Sequence, residues 1–486
     1  MHSRSSNSPE RLALACFARL LAVAVLAAMA LPSALAHKND AYSHNADINA
    51  NMPRWMSRLP DFLRLSELSV PGTHDTMARY GGDIAECQSM SITTQLNSGI
   101  RYVDIRVRNE NDKFEIYHGI EHQNADFDDV LGPIAQFLKD NPGETVFMRV
   151  KKERNNKNST MTFEEVYESY KEKYQRRERP KLDFWHPSGS DGNPTLGEMR
   201  GKVVLFDNFT GESDEVTTSY GLKHNNSVLF RTESSWDLGD NWDLHRHWRK
   251  KRGHLITARA GSRDYIYMTT LNGANGSFPY FVASGHSSPG TSAPRLATGL
   301  VSTSSKYPDF PRKNGSILFE GVNTLVNSWI KRENPSHVGI VVSDFPGREL
   351  IGHIVNRNFT RTTLVFSDVR DKYWGVKNSS NIVVKKAPQL PNVPTRFGLK
   401  FLPNGRVGLI HGDRYLTEDP QQNLIRGTLP AMLPLPETQY ELIQNGDGSF
   451  SLKNVQSQQH VSATTELVKV NQSNIVSAAK FKLSTF

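Results

Sequence analysis

Between about Leu65 and Asn358 the sequence alternates short β-rich runs with longer amphipathic stretches, and no other feature limits its fold as strongly. Candidate strands are Ser66–Val70, Arg101–Val107, Thr145–Lys151, Lys202–Asp207, Tyr265–Leu271 and Val338–Asp344. The helical patterns between them are Phe127–Lys139, Phe163–Tyr174, Leu244–Thr257 and Val322–Lys331. Strands joined through helices run parallel in one sheet, and a run of roughly 300 residues built this way is the size of a (β/α) barrel. The expected class is therefore α/β, with a distorted (β/α) TIM-type barrel over residues 37–359. Ser284–Gly299, rich in Gly, Ser and Pro, reads as a long surface loop near a strand end.

After residue 360 the helical periodicity stops, and short β runs follow one another across turn residues. The stretch Arg396–Gly405 resembles Gln439–Gly446, and related segments follow each, Arg414–Thr417 and His460–Ala463. A more divergent unit starts near Leu364 and contains Tyr373-Trp374-Gly375-Val376. Three units of roughly forty residues suggest an all-β trefoil domain over 360–486, with a single irregular β-sandwich as the alternative.

Residues 1–36 read as a secretory signal peptide, so the expected location is secreted. Arg4, Arg11 and Arg19 precede or border the apolar run Leu20–Leu31, and Ala34-Leu35-Ala36 supplies small residues for cleavage. A membrane anchor is the competing reading, but the apolar run is short for a full span. Removing the leader takes away Arg4, Arg11, Arg19 and Glu10 and lowers the formal net charge from +8 to +6. It also takes Cys16, leaving Cys87 with no internal disulfide partner; two cysteines in 486 residues exclude a disulfide scaffold. At 37% hydrophobic and 22% charged residues, neither a disordered chain nor a multispanning membrane protein is compatible.

Chemistry-bearing residues gather at predicted strand ends. In Leu68-Ser69-Val70-Pro71-Gly72-Thr73-His74-Asp75, a strand is expected to end at Val70 and turn at Pro71-Gly72, presenting His74 and Asp75. In Arg101–Arg108, Asp104 and Arg106 lie two apart and face one side of their strand, a costly charge pair in a barrel interior unless it has a use. Phe114–Gly119 is a strand ending in His118, Val150–Glu153 ends in Lys151, Lys152 and Glu153, and Val341–Pro346 carries Asp344. Singly each is unremarkable, and Lys151 and Lys152 also fit a solvated strand end. Together, two histidines, several carboxylates and an arginine at strand ends of one barrel point to acid–base catalysis.

The ordered set "LSVPGTHDTM", "GIRYVDIRVR", "YHG", "ETVFMRVKKE", "RGKVVLFDN" and "GIVVSDFPG" resembles the catalytic X-type domain of bacterial phosphatidylinositol-specific phospholipases C over roughly Leu65–Asn356. The resemblance implies a distorted barrel and a two-histidine mechanism. His74 would be the general base toward the inositol 2-hydroxyl, and His118 the general acid toward the departing diacylglycerol oxygen. Asp344 would orient His74, Asp75 would support His118, and Arg106, paired with Asp104, would hold the phosphate. Calcium-dependent relatives carry a second acidic ligand where this chain has Arg106 and an asparagine where it has Asp75. The expectation is therefore an enzyme with no metal and no cofactor.

For the headgroup, Lys151 and Glu153 match the family's pair, and Asp240 and Trp242 match its Asp-x-Tyr pair loosely. The family's arginine after the "GKVVL" strand is absent; Asp207-Asn208 stands there. Phosphatidylinositol, a GPI-type lipid or another headgroup thus remain open. The last 120 or so residues resemble a fascin-like β-trefoil in "DKYWGV", "NGRVGL", "DRYLT" and "YELIQNGDGSFSLKN", which implies a glycan or surface-protein partner.

The basic run His245–Arg252, with Trp248 inside it, reads either as the solvated face of a helix or as a site for docking on an anionic phospholipid membrane. No recognition motif accompanies it, so nucleic acid is not an expected partner. Two other functions stay open: a metal-dependent barrel phosphodiesterase, against which Asp-Ile-Arg argues, and a secreted adhesin with an inactive barrel.

Overall fold

The computed structural model describes residues 40–47, 50–187, 192–211, 215–287, 297–301, 309–313 and 315–359. Beyond these it describes 362–368, 374–377, 382–385, 397–402, 406–411, 414–419, 424–430, 435–445, 449–462, 468–474 and 479–485. The expected leader, 1–36, and most of the expected loop Ser284–Gly299 lie outside the described residues. No helix among the described residues is long and apolar enough to cross a membrane.

The first part of the chain supplies strands β1 (Val70–Thr73), β2 (Tyr102–Glu110), β3 (Lys113–His118), β4 (Glu121–Asp126), β5 (Val146–Lys152), β6 (Asp183–Phe184) and β7 (Lys202–Asn208). These are followed by β8 (Leu222–Lys223), β9 (Phe230–Glu233), β10 (Ile266–Thr270), a small separate sheet of β11 (Ala297–Val301), β12 (Arg312–Lys313) and β13 (Ser316–Leu318), and β14 (Ile340–Ser343). The main sheet runs β6-β7-β5-β2-β1-β14-β10-β9, with β8 also on β7. Every one of these pairings is parallel. The hairpin β3–β4 extends β2 in the antiparallel sense. The result is a curled parallel sheet of half-barrel form, as a TIM-type barrel requires. The edge strand β9 approaches β7, next to the opposite edge, through Phe230 and Phe206, whose rings meet at 5.4 Å.

Parallel strands buried on both faces read as unbroken apolar runs, and Val203–Phe206 in β7 is wholly buried. The helices between strands are α1 (Ile92–Ser98), α2 (Asp128–Asp140), α3 (Phe163–Glu172), α4 (Leu196–Met199), α5 (Leu244–Ala260), α6 (Pro279–Ser284), α7 (Val322–Glu333) and α8 (Arg348–Asn356). Their ends are written locally. Ser91 caps α1, and Gly99, at φ +112°, closes it in a conformation that few other residues adopt. Thr162 and Glu165 form a reciprocal capping box at α3, which buries Phe163, Val166, Tyr167 and Tyr170. Thr162→Ala is expected to lower stability by about 1 kcal/mol without changing turnover, as a thermal melt beside an activity assay will show.

One local expectation is corrected. The strand expected at Ser66–Val70 lies later: Leu65–Glu67 is a 3-10 turn, and Pro71 and Gly72 are inside β1 rather than turning the chain. Proline is tolerated because its carbonyl still accepts from the Arg101 amide, so only one donor is missing. Gly72 is required by proximity: a Cβ there would lie 2.8 Å from that of Tyr102 on β2.

The described strands after residue 360 form a separate, antiparallel sheet whose first and last strands, Thr362–Asp368 and Phe481–Thr485, pair with each other. Trp374, Leu399, Leu409, Tyr440, Leu452 and Val470 are among its core. Phe62 of the barrel part packs against this core and meets Phe450 edge-on at 4.8 Å.

Candidate active site

Register decides what faces the interior. Asp104 on β2 lies opposite Arg149 on β5, Arg106 opposite Lys151, and Lys151 in turn opposite Asn208 on β7. Side chains two apart share a face, so Tyr102, Asp104, Arg106, Arg149 and Lys151 all line one cavity of about 460 Å³. The loop after β1 adds His74 and the end of β3 adds His118 to the same walls.

His74 is 9% exposed and held from both sides. Its Nδ1 lies 2.8 Å from Asp344 Oδ1, just after β14, and its Nε2 lies 2.6 Å from Arg106 Nη2. A guanidinium only donates, so Nε2 accepts and Nδ1–H is given to Asp344. This is the tautomer of a base whose lone pair points into the cavity. Gln88 fixes the loop, donating to the carbonyls of His74 and Ser343 and so tying the ends of β1 and β14 together.

His118 faces His74 edge-on, with ring centroids 6.5 Å apart. Its Nδ1 lies 2.7 Å from the Ala85 carbonyl, which can only accept, so that nitrogen carries a proton. Its Nε2 lies 3.6 Å from Asp75 Oδ2. Asp75 adopts φ +41°, a left-handed backbone that aspartate tolerates better than most residues. The turn aims its buried carboxylate between His118 and Arg106.

Arg106 is the hub. Nη1 lies 3.2 Å from Asp75 and 3.7 Å from Glu153, while Nε and Nη2 lie 3.3 and 3.2 Å from Asp104 Oδ2. Burial disfavours its charge, but Asp75, Asp104 and Glu153 more than offset that and hold the guanidinium ionised. Burial likewise acts against ionisation of Asp104, yet Arg149 and Arg106 keep its carboxyl far below the usual range. Asp75 has weaker support, so burial leaves its carboxyl raised despite Arg106 and His118. Burial also opposes ionisation of Glu153, but Arg106 and a 2.7 Å contact from Lys151 pull it down.

Of the residues singled out from sequence, His74, Asp75, Asp104, Arg106, His118, Lys151, Glu153 and Asp344 are thus brought together. Asp240 and Trp242 are not. Asp240 caps a 3-10 turn, accepting from the amides of Trp242 and Asp243, and the exposed Trp242 packs edge-on against Phe319 at 5.7 Å. Six residues earlier, Trp236 lines the cavity instead. Trp248, which the membrane-docking reading of the basic run would place at an interface, is buried in α5 and donates to Asp309. Lys251 of the same basic run is also fully buried, paired with Glu233.

Arg149 was not anticipated. Its Nε and Nη2 lie 2.8 and 2.6 Å from Asn208 Oδ1, and its Nη1 lies 3.1 Å from Asp104. A guanidinium therefore stands beside the position after "GKVVL", supplied by the neighbouring strand. His224 also lines the cavity; burial pushes its pKa well down, so it is neutral there.

A curled parallel sheet that gathers two histidines, carboxylates and guanidinium groups around one cavity defines an acid–base site. Residues 65–208 match the family model "Phosphatidylinositol-specific phospholipase C, X domain". The chain is 43% identical over 162 residues to a 1-phosphatidylinositol phosphodiesterase of Listeria monocytogenes, covering 32% of this chain and 48% of that protein, about half its length. It is 29% identical over 253 residues to the 1-phosphatidylinositol phosphodiesterase of Staphylococcus aureus, covering 48% of this chain and 80% of that one. The solved structure of the Listeria monocytogenes phosphatidylinositol-specific phospholipase C superposes with a TM-score of 0.47 at 25% identity, over 63% of this chain and 98% of that one.

Proposed function

We propose that the chain is a phosphatidylinositol-specific phospholipase C-like lyase. It would cleave phosphatidylinositol or GPI-type lipids to diacylglycerol and a cyclic inositol phosphate. The observation that carries this reading is the pair of histidines facing one another across the cavity, each backed by a carboxylate, with Arg106 between them.

His74 Nε2 takes the proton of the inositol 2-hydroxyl, and that oxygen forms a bond to the adjacent phosphorus. The bond from phosphorus to the glycerol oxygen breaks, and His118 Nε2 supplies the proton the leaving oxygen needs. An internal nucleophile already has a high effective concentration, so proton transfer and charge stabilisation are what the protein must add. Asp344 favours the imidazolium that forms on His74, and Asp75 does the same for His118. Arg106, with planar bidentate donors, stabilises charge on the equatorial phosphate oxygens. Lys151, Glu153 and Arg149 contact the ring hydroxyls, and Trp236 offers it a flat face. Because the Arg106 guanidinium sits among Asp75, Asp104 and Glu153, where a divalent cation would otherwise balance them, catalysis needs no metal or cofactor.

A phospholipid surface is the partner during turnover. Apolar side chains stand exposed on several connecting loops: Ile84, 72% exposed, follows β1, and Ile120, 74% exposed, follows β3. Val228, Trp236 and Phe278 are exposed after β8, β9 and β10. Trp236 lines the cavity itself, and Ile84 and Phe278 follow the carboxyl ends of the parallel strands β1 and β10, which suits interfacial insertion.

In this reading residues 1–36 are a signal peptide and the protein is secreted, with 37–359 as the catalytic barrel. Residues 360–486 form a β-trefoil that attaches the enzyme to a glycan or surface protein. The test is turnover of phosphatidylinositol vesicles in excess EDTA beside phosphatidylcholine vesicles. Diacylglycerol from the first alone is expected. Turnover only after calcium is restored rejects metal independence, and equal turnover of both lipids rejects the headgroup.

A further inference from the structure

Behind the base lies a group that the mechanism does not use. Cys87 is a free, fully buried thiol in the loop between β1 and α1. Its backbone is fixed at both polar atoms: its amide donates to the Ala78 carbonyl and its carbonyl accepts from the Phe345 amide, at 2.9 and 3.0 Å. The Sγ atom, a ring nitrogen of His74 and a carboxylate oxygen of Asp344 all lie within 4.8 Å of one another, and the His74 nitrogen beside Asp344 is Nδ1, at 2.8 Å. Asp344 is 2% exposed, and its Oδ2 has no hydrogen-bond partner among the described residues. An unsatisfied carboxylate oxygen beside a thiol and an imidazole nitrogen is a set of donors short of an acceptor for their electron pairs.

We infer that His74, Cys87 and Asp344 form an inhibitory site for a soft divalent cation of the zinc type. Sulfur, imidazole and carboxylate together select zinc over magnesium or calcium, which prefer all-oxygen shells. A tetrahedral ion holds nitrogen and oxygen ligands about 3.3 Å apart. The Nδ1–Oδ1 pair, at 2.8 Å, needs to open only slightly, and the sulfur to close by a modest side-chain movement. The fourth position is left to water or to a group in the cavity.

The consequence for turnover follows from the tautomer. Zinc takes the Nδ1 lone pair, so a neutral His74 must carry its proton on Nε2. The nitrogen that accepts from Arg106, and that would accept the substrate proton, then has no lone pair to offer. Proton balance is simple: the Nδ1 proton moves to Nε2, and the thiol releases one proton to solvent as the thiolate binds. The inhibition rests on His74 being the base proposed above; the binding site itself does not.

Cobalt(II) titration of the full-length protein separates the two. Wild type is expected to develop a thiolate-to-cobalt charge-transfer band that Cys87→Ala lacks. In the vesicle assay, zinc is expected to inhibit wild type reversibly by EDTA. Cys87→Ala should turn over normally without zinc and need at least ten times more of it for half-inhibition. If the alanine variant does not fold, Cys87→Ser serves, since a hydroxyl is a poor ligand for either cation. Absence of the band in wild type, or equal zinc sensitivity of wild type and variant, overturns the site. A band without any lipid turnover leaves the site standing and removes the proposed function.

Discussion

Replacing His74 by alanine is expected to lower kcat on phosphatidylinositol vesicles by roughly 10³–10⁴-fold while leaving the fold and vesicle binding intact. The expected loss is large because both nitrogens are committed. Nδ1 is held by Asp344 at 2.8 Å and Nε2 lies beside Arg106 on the cavity wall, so the substitution removes the proton acceptor together with the contacts that orient it. The second histidine cannot substitute, since its Nδ1 is held by the Ala85 carbonyl and its ring lies across the cavity at 6.5 Å. Steady-state kinetics beside a vesicle sedimentation assay checks this. A variant that retains more than about a tenth of wild-type kcat, well above what loss of a general base allows, assigns the base elsewhere.

Arg106→Ala is expected to fail in two ways. It leaves Asp75, Asp104 and Glu153 facing one another without the cation that separates them. Removing one member of a buried charge cluster costs on the order of 3–5 kcal/mol, so the urea midpoint should fall clearly. Turnover should fall a further ~10²–10³-fold in protein that remains folded, because the charge developing on phosphate loses its preorganised donors. Arg106→Lys separates the effects. A lysine ammonium restores the balance of charge and most of the stability, but not the paired, planar donors, so kcat should recover only in part. Equal kcat for the lysine variant and wild type would reduce Arg106 to a structural counter-ion.

Much of this site was legible because strand periodicity is simple. Asp104 and Arg106, two apart, had to share a face, and the cost of burying them together marked that face as functional. The same argument applied to Val146–Lys152 puts Arg149 beside Lys151, yet Arg149 shows its use only through register, which sets it against Asp104 and within reach of Asn208. Trp242 and Trp236 could not be ranked from spacing. They sit six residues apart in one connection, and the turn capped by Asp240 sends the first to Phe319 while the second reaches the cavity. Pro71-Gly72 read as a turn because local propensity favours one, whereas parallel pairing to β14 and the close approach of Tyr102 make it strand. The barrel's alternation and the change of style near residue 360 rest on patterns that run over many residues, which local exceptions do not erase.

Phosphorus NMR of wild-type protein with phosphatidylinositol vesicles in excess EDTA tests the central claim most directly, because it reports the bond formed and not only the lipid lost. Two histidines and an internal nucleophile predict a cyclic inositol phosphate signal as the first product, absent with His74→Ala. A first product that is already the open monoester, or no phosphorus product until a divalent metal is supplied, contradicts it.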